Sequence, residues 1–136
     1  RETALFGVHG DHINMTDGRY VYMKAPASEE NTPLYEYTDM PCHMRDPFSV
    51  QELSQAELMD GFPHMNGAKV MKIPTRTYFS AYKYGTRLYD LQQDPQETHP
   101  IEDAAVVRRL EDAMVRMMKE NEAPEEQYER IGLKTD

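Results

Sequence analysis

The chain has 136 residues, enough for one domain whose core withdraws about two thirds of the unfolded surface from water. Its formal net charge of −9, with no Lys/Arg run, argues against a nucleic-acid partner, because that affinity rests on cations neutralising phosphates. Its 39% hydrophobic residues fall in short runs, so no segment spans a bilayer as a helix, and one cysteine excludes an internal disulfide framework.

No charged and apolar signal segment opens the chain. It begins at Arg1-Glu2-Thr3 rather than at Met, which is read as an excised or processed piece. Ala4 to Val8 reads as a strand, followed by a bend rich in glycine and histidine from Gly7 to His12. Ile13 to Thr16 and Arg19 to Lys24 flank Asp17-Gly18, which predicts a hairpin with a type I′ turn. Pro26 to Pro33 is a polar loop, and Leu34 to Thr38 is the next strand. The stretch from Pro41 to Pro47 reads as surface connection.

Ser49 and Glu52 have capping-box spacing, and Leu53, Leu58 and Met59 give the following short helix an apolar side. Gly61 and Pro63 end it. Ala68 to Ile73 and Thr77 to Tyr84 read as strands, and Gly85-Thr86 as a two-residue turn into Arg87 to Leu91. A long helix is predicted from near Pro100, with Val107, Leu110, Met114, Met117 and Met118 forming one apolar stripe. Arg108, Asp112, Arg116 and Glu120 form a charged ladder opposite. Pro124 ends that helix, and Glu125 to Ile131 makes a last turn closed by Gly132. This order, without βαβ alternation, predicts an α+β fold: a small antiparallel β-sheet with a long C-terminal helix packed on one face. A single domain over 1–136 is expected, with no internal repeat.

Five groupings invite a chemical reading. His9-Gly10-Asp11-His12 puts two imidazoles and a carboxylate on a flexed bend, suited to a divalent metal, an anion's rim or a plain polar turn. Cys42-His43-Met44-Arg45 suggests a thiolate nucleophile, but adjacent residues do not readily aim at one atom, and an incidental cysteine is preferred. Eight of the nine tyrosines, Tyr20, Tyr22, Tyr35, Tyr37, Tyr78, Tyr82, Tyr84 and Tyr89, fall in predicted strands. They read either as a stacking face for sugars or as ordinary sheet packing, which is preferred. The methionine stripe of the last helix reads as core rather than peptide groove. Asp94-Pro95 with Glu97 has too few ligands for a calcium loop and reads as a solvated turn before a helix.

Four segments together resemble sulfatases of the alkaline-phosphatase superfamily. They are Ala4-Leu5-Phe6-Gly7, Thr16 to Met23, Leu88-Tyr89-Asp90-Leu91-Gln92-Gln93-Asp94-Pro95-Gln96-Glu97, and the helix after it. The similarity runs from Ala4 to about Leu133, and it is to the carboxy-terminal subdomain alone, a small antiparallel sheet carrying a helix. The family's Cys/Ser-x-Pro-x-Arg nucleophile motif is missing, since Cys42 is followed by His43, Met44, Arg45 and Asp46. The family's metal-holding Asp and Asn/His set has no counterpart either.

The resemblance implies a parent hydrolase of sulfuric esters, or of the phosphonic or phosphoric esters that related enzymes cleave. It implies a divalent metal, calcium or magnesium, and a formylglycine nucleophile in that parent. The piece itself is expected to hold no cofactor, no metal and no catalytic residue. Its expected partner is the parent's N-terminal catalytic domain, with neither nucleic acid nor membrane, and with self-association of the isolated fragment. His9 and His12 are expected at the substrate-binding rim, an assignment resting on their chemistry and position and on no family motif. Two alternatives stand beside it: a carbohydrate-binding module using the tyrosine-rich sheet face, and a small metal-dependent enzyme built on His9, Asp11 and His12.

Overall fold

A computed structural model describes residues 2–40, 42–77 and 80–134. Among the described residues seven strands and three α-helices occur in chain order: β1 (Ala4–Gly7), β2 (Ile13–Thr16), β3 (Tyr20–Lys24), β4 (Tyr35–Thr38), α1 (Val50–Ser54), β5 (Glu57–Asp60), β6 (Lys69–Pro74), β7 (Arg87–Asp90), α2 (Ala104–Glu120) and α3 (Glu125–Arg130). The fold is α+β as the residue order predicts, with antiparallel sheets and a long helix. The strands divide between two sheets, β1-β2-β3-β7 and β4-β6-β5, instead of sharing one. Packing separates two compact units, Arg1–Thr32 with Thr77–Asp136, and Pro33–Arg76.

The larger unit is organised by alternation along its strands. Leu5, Met15, Tyr22 and Leu88 stand opposite one another across the four strands and so share one face. Leu110, Ala113, Met114 and Met118 of α2 pack on that face and, with Met15, Tyr22 and Leu88, form the core. The apolar stripe read from the sequence is therefore the buried side of α2, with Val107 and Met117 at its half-buried margin. Arg108, Asp112, Arg116 and Glu120 are exposed. The polar end of the interface is satisfied as well. Glu111 accepts from the Tyr22 hydroxyl at 2.6 Å and from Lys24 at 2.8 Å. Burial and the Glu111 contact both push the Tyr22 phenol up.

Several local expectations are corrected. The β2–β3 turn is not type I′, because Gly18 at φ 88° is the only residue in it with positive φ. Asp17 Oδ1 instead accepts from the amides of Arg19 and Tyr20, which holds Asp17 in an ordinary conformation. α2 begins at Ala104 rather than near Pro100, because Asp103 caps it by accepting from the amides of Ala105 and Val106. The residues before it stay extended, with the Ile101 amide donating to the Leu88 carbonyl. Glu125 to Arg130 is a full short helix rather than a turn. Ala81–Tyr84 is a 3-10 turn and not strand, while Tyr78 and Phe79 lie outside the described residues. Gly85-Thr86 makes no hairpin, since β7 pairs with β3 and the Gly85 carbonyl is taken by His12.

In the smaller unit the capping box is present. Ser49 and Glu52 exchange side-chain bonds with each other's amides. Leu58 and Met59 do not extend that helix. They lie in β5, opposite Met71 and Val70 of β6, and the α1 end at Gln55 closes back on Glu52 and Leu53. Gly61 has a structural reason to be glycine, because an added Cβ would stand 2.3 Å from the Ala68 carbonyl oxygen. Gly61→Ala is therefore expected to destabilise the β5–β6 hairpin by about 1–3 kcal/mol, measured by urea unfolding. A loss below about 0.5 kcal/mol, the level of a neutral surface change, would show that the close approach is easily relieved.

Candidate functional site

The His9–His12 bend joins β1 to β2 in the larger unit. It closes locally through the Asp11 amide, which donates to the Val8 carbonyl at 3.1 Å, with Gly10 at φ 72°. Gly7 admits the other side of the bend, because a Cβ there would meet the His12 carbonyl oxygen at 2.8 Å. Sequence alone suggests two equivalent histidines, and the structure separates them. His9 is exposed and His12 is buried.

His12 is fixed from both ring nitrogens. Its Nε2 donates to the Gly85 carbonyl at 3.0 Å, and its Nδ1 lies 3.2 Å from Asp11 Oδ1. The same Asp11 oxygen accepts from the His12 amide at 2.8 Å. His12 thus holds the bend against the Gly85 turn, while His9 is the imidazole on the outside. Among the described residues, no group of three or more His, Cys, Asp and Glu is arranged to hold a metal ion. Among the described residues no such group fits the calcium or magnesium ion that the resemblance assigns to the parent, and Cys42 lacks the motif that a formylglycine needs.

Two residues that no sequence pattern singled out complete the bend. Asn31 donates to the Gly10 carbonyl at 2.6 Å and to the Thr77 hydroxyl at 3.2 Å. Arg130, in the last turn of α3, donates to the Asp11 carbonyl at 3.2 Å and to Asn31 Oδ1 at 2.9 Å. Burial lowers the pKa of the Arg130 guanidinium, and the nearby Asp11 charge opposes that shift.

Two of the segments that carry the resemblance meet at the other end of β2 and β3 from the bend. Tyr20 stands opposite Asp90 in the β3–β7 ladder, and the Leu91 amide donates to the Arg19 carbonyl at 2.8 Å. Arg19 Nη2 reaches Asp90 at 2.8 Å and its Nε reaches both carboxylate oxygens at 3.3 Å. That contact with Arg19 holds Asp90 below the ordinary carboxylate range, against the effect of burial. The Asp94-Pro95 turn is closed by its own side chain, since Asp94 accepts from the amides of Thr98 and His99 at 2.6 Å. Asp17, in the hairpin turn, binds Arg109 of α2 at 2.6 Å.

Cys42 is half-buried in an isolated bridge to Pro47. Its neighbour His43 turns both ring nitrogens toward carboxylates, Glu52 at 2.9 Å and Glu36 at 3.8 Å, with Phe48 against the ring. The serine amide and hydroxyl of the capping box, and then His43, pull the Glu52 pKa down to about 2. Tyr22 and Tyr89 are core residues, and Tyr20 packs against the core. Lys72 lies over the rings of Tyr35 and Tyr37, while Tyr82 and Tyr84 are exposed in the 3-10 turn. A cavity of about 800 Å³ at α2 and α3 is lined by Lys119, Tyr128, Glu125, Glu126 and Glu129, and no cysteine, serine or histidine lines it among the described residues. No known family, no curated protein and no solved structure matches the chain.

Proposed function

We propose that this chain is the carboxy-terminal part of a sulfatase-like hydrolase of sulfuric esters, inactive alone, which braces the catalytic domain and forms part of the substrate rim. One observation carries the reading. The two segments that most resemble the family, Thr16 to Met23 and Leu88 to Glu97, are neighbouring strands locked together by Arg19 and Asp90. Motifs that are far apart in sequence but joined in space behave as one structural signature, which coincidental similarity does not require.

A second feature agrees with it. The edge strand β1 carries Phe6 at 48% exposure and leads into Val8 at 72%. A sheet edge that bears exposed apolar side chains is suited to cover by a partner domain. The exposed His9 follows the end of β1 by two residues, and a hydrogen bond to an anionic ester is within its chemistry. A glycan-binding module is the second reading, favoured by exposed Tyr82 and Tyr84 with Lys83 4.7 Å from the Tyr84 ring.

The upstream coding sequence distinguishes the two. A continuous reading frame with a Cys/Ser-x-Pro-x-Arg motif is expected. A stop or signal peptide immediately before Arg1 would favour the glycan module.

A further inference from the structure

Two consecutive carbonyls of the His9–His12 bend, those of Gly10 and Asp11, are held by side chains from distant parts of the chain. Asn31 holds the first and Arg130 the second, and Arg130 Nη1 also donates to Asn31 Oδ1. Arg130 is only 2% exposed, yet its hydrogen-bond acceptors among the described residues are neutral: the Gln127 amide, the Asp11 carbonyl and the Asn31 amide. A buried guanidinium hydrogen-bonded only to neutral groups is costly even with the Asp11 charge nearby, and an apolar side chain of similar volume would fill the same space at lower cost. Asn31 adds strain of its own, with φ at 53°, a conformation uncommon outside glycine. Both costs fall on residues whose bonds converge on the same two carbonyls.

We infer that Arg130 is a positioning residue which, with Asn31, clamps the Gly10–Asp11 backbone and thereby sets where His9 stands at the substrate rim. The clamp itself follows from this chain alone. Its functional consequence rests on the sulfatase reading, with His9 as the group that meets the substrate and Arg130 acting only through the bend.

Amide hydrogen exchange in the chain reads the clamp directly. Arg130→Met is expected to speed exchange at Asp11 and His12 by roughly tenfold or more, with Leu110 and Met114 of α2 unchanged. Arg130→Lys keeps the charge but loses the fork and is expected to recover part of the protection. Asn31→Gly keeps the left-handed backbone without strain and is expected to loosen the bend in the same way, so it carries the test if Arg130→Met does not fold. Unchanged exchange at Asp11 and His12 in Asn31→Gly overturns the clamp.

In the full-length parent, Asn31→Gly is expected to raise KM for an aryl sulfate by about tenfold with kcat within about twofold, and His9→Ala to raise it similarly. A loosened bend with unchanged KM overturns the positioning role. An unchanged KM in His9→Ala overturns the rim assignment and leaves the clamp standing.

Discussion

Leu110→Ala is expected to cost about 3 kcal/mol of unfolding free energy, the typical result of emptying a fully buried leucine site. Leu110 is 0% exposed and lies in the cluster that joins α2 to Met15, Tyr22 and Leu88 across the sheet. The cluster draws side chains from three strands as well as α2, so collapse into the cavity is restrained from several directions. Domains of this size have only about 5–15 kcal/mol in total, so the melting temperature should drop by roughly 10–20 °C. Val50→Ala serves as the control, because Val50 is exposed on a helix that buries nothing, and a change within about 0.5 kcal/mol is expected. A Leu110→Ala loss below about 1 kcal/mol would mean that α2 is not packed on the sheet as described.

Acid is expected to unfold the larger unit progressively. Four of its carboxylates, Asp17, Asp90, Asp94 and Glu111, are held below their ordinary values of 3.8 for Asp and 4.5 for Glu. Burial alone would raise Asp17, but the Tyr20 amide, the Arg109 guanidinium and the Arg19 amide outweigh it. Burial opposes the shift at Glu111 too, and there Lys24 and Tyr22 prevail. Arg19 dominates at Asp90, and the His99 amide at Asp94. A carboxyl with a lowered folded-state pKa binds fewer protons when folded than when unfolded. Its stabilisation is therefore complete above the unfolded value and disappears as pH falls through the folded one.

Urea unfolding from pH 6 down to pH 2 should show stability nearly flat at first, then declining below about pH 4.5. Asp90→Asn should lower stability at pH 6 and reduce the steepness of the acid limb, because one linked group is gone. Stability that rises between pH 5 and pH 3 would contradict these assignments.

The fold was legible where short-range patterns govern it. The stripe on α2 and the capping box of α1 depend on spacing within one helix, and both appear where the sequence puts them. The errors arose where remote groups decide between local alternatives. Leu58 and Met59 look helical by spacing but pair with Met71 and Val70, a choice made by a strand ten or more residues away. Tyr82 and Tyr84 have strong strand preference, yet they lie in a tight turn whose following carbonyl, that of Gly85, is held by His12.

The candidate site shows the same division. His9, Asp11 and His12 were visible as a cluster, but the burial of His12 and the exposure of His9 were not. Arg130 contacts Asp11 across 119 positions, and nothing local marks it apart from any other arginine near a helix end. Asn31 offers a faint signal, as asparagine in a polar loop tolerates positive φ, but that pattern does not reveal its partner.

As proposed, the chain completes a sulfatase-like enzyme whose reactive residues lie elsewhere. The most direct measurement is metal-dependent hydrolysis of an aryl sulfate by the purified chain, alongside the same chain joined to its upstream sequence. The joined protein is expected to turn over and the isolated chain to show no rate above buffer. Metal-dependent turnover by the isolated chain would contradict the account.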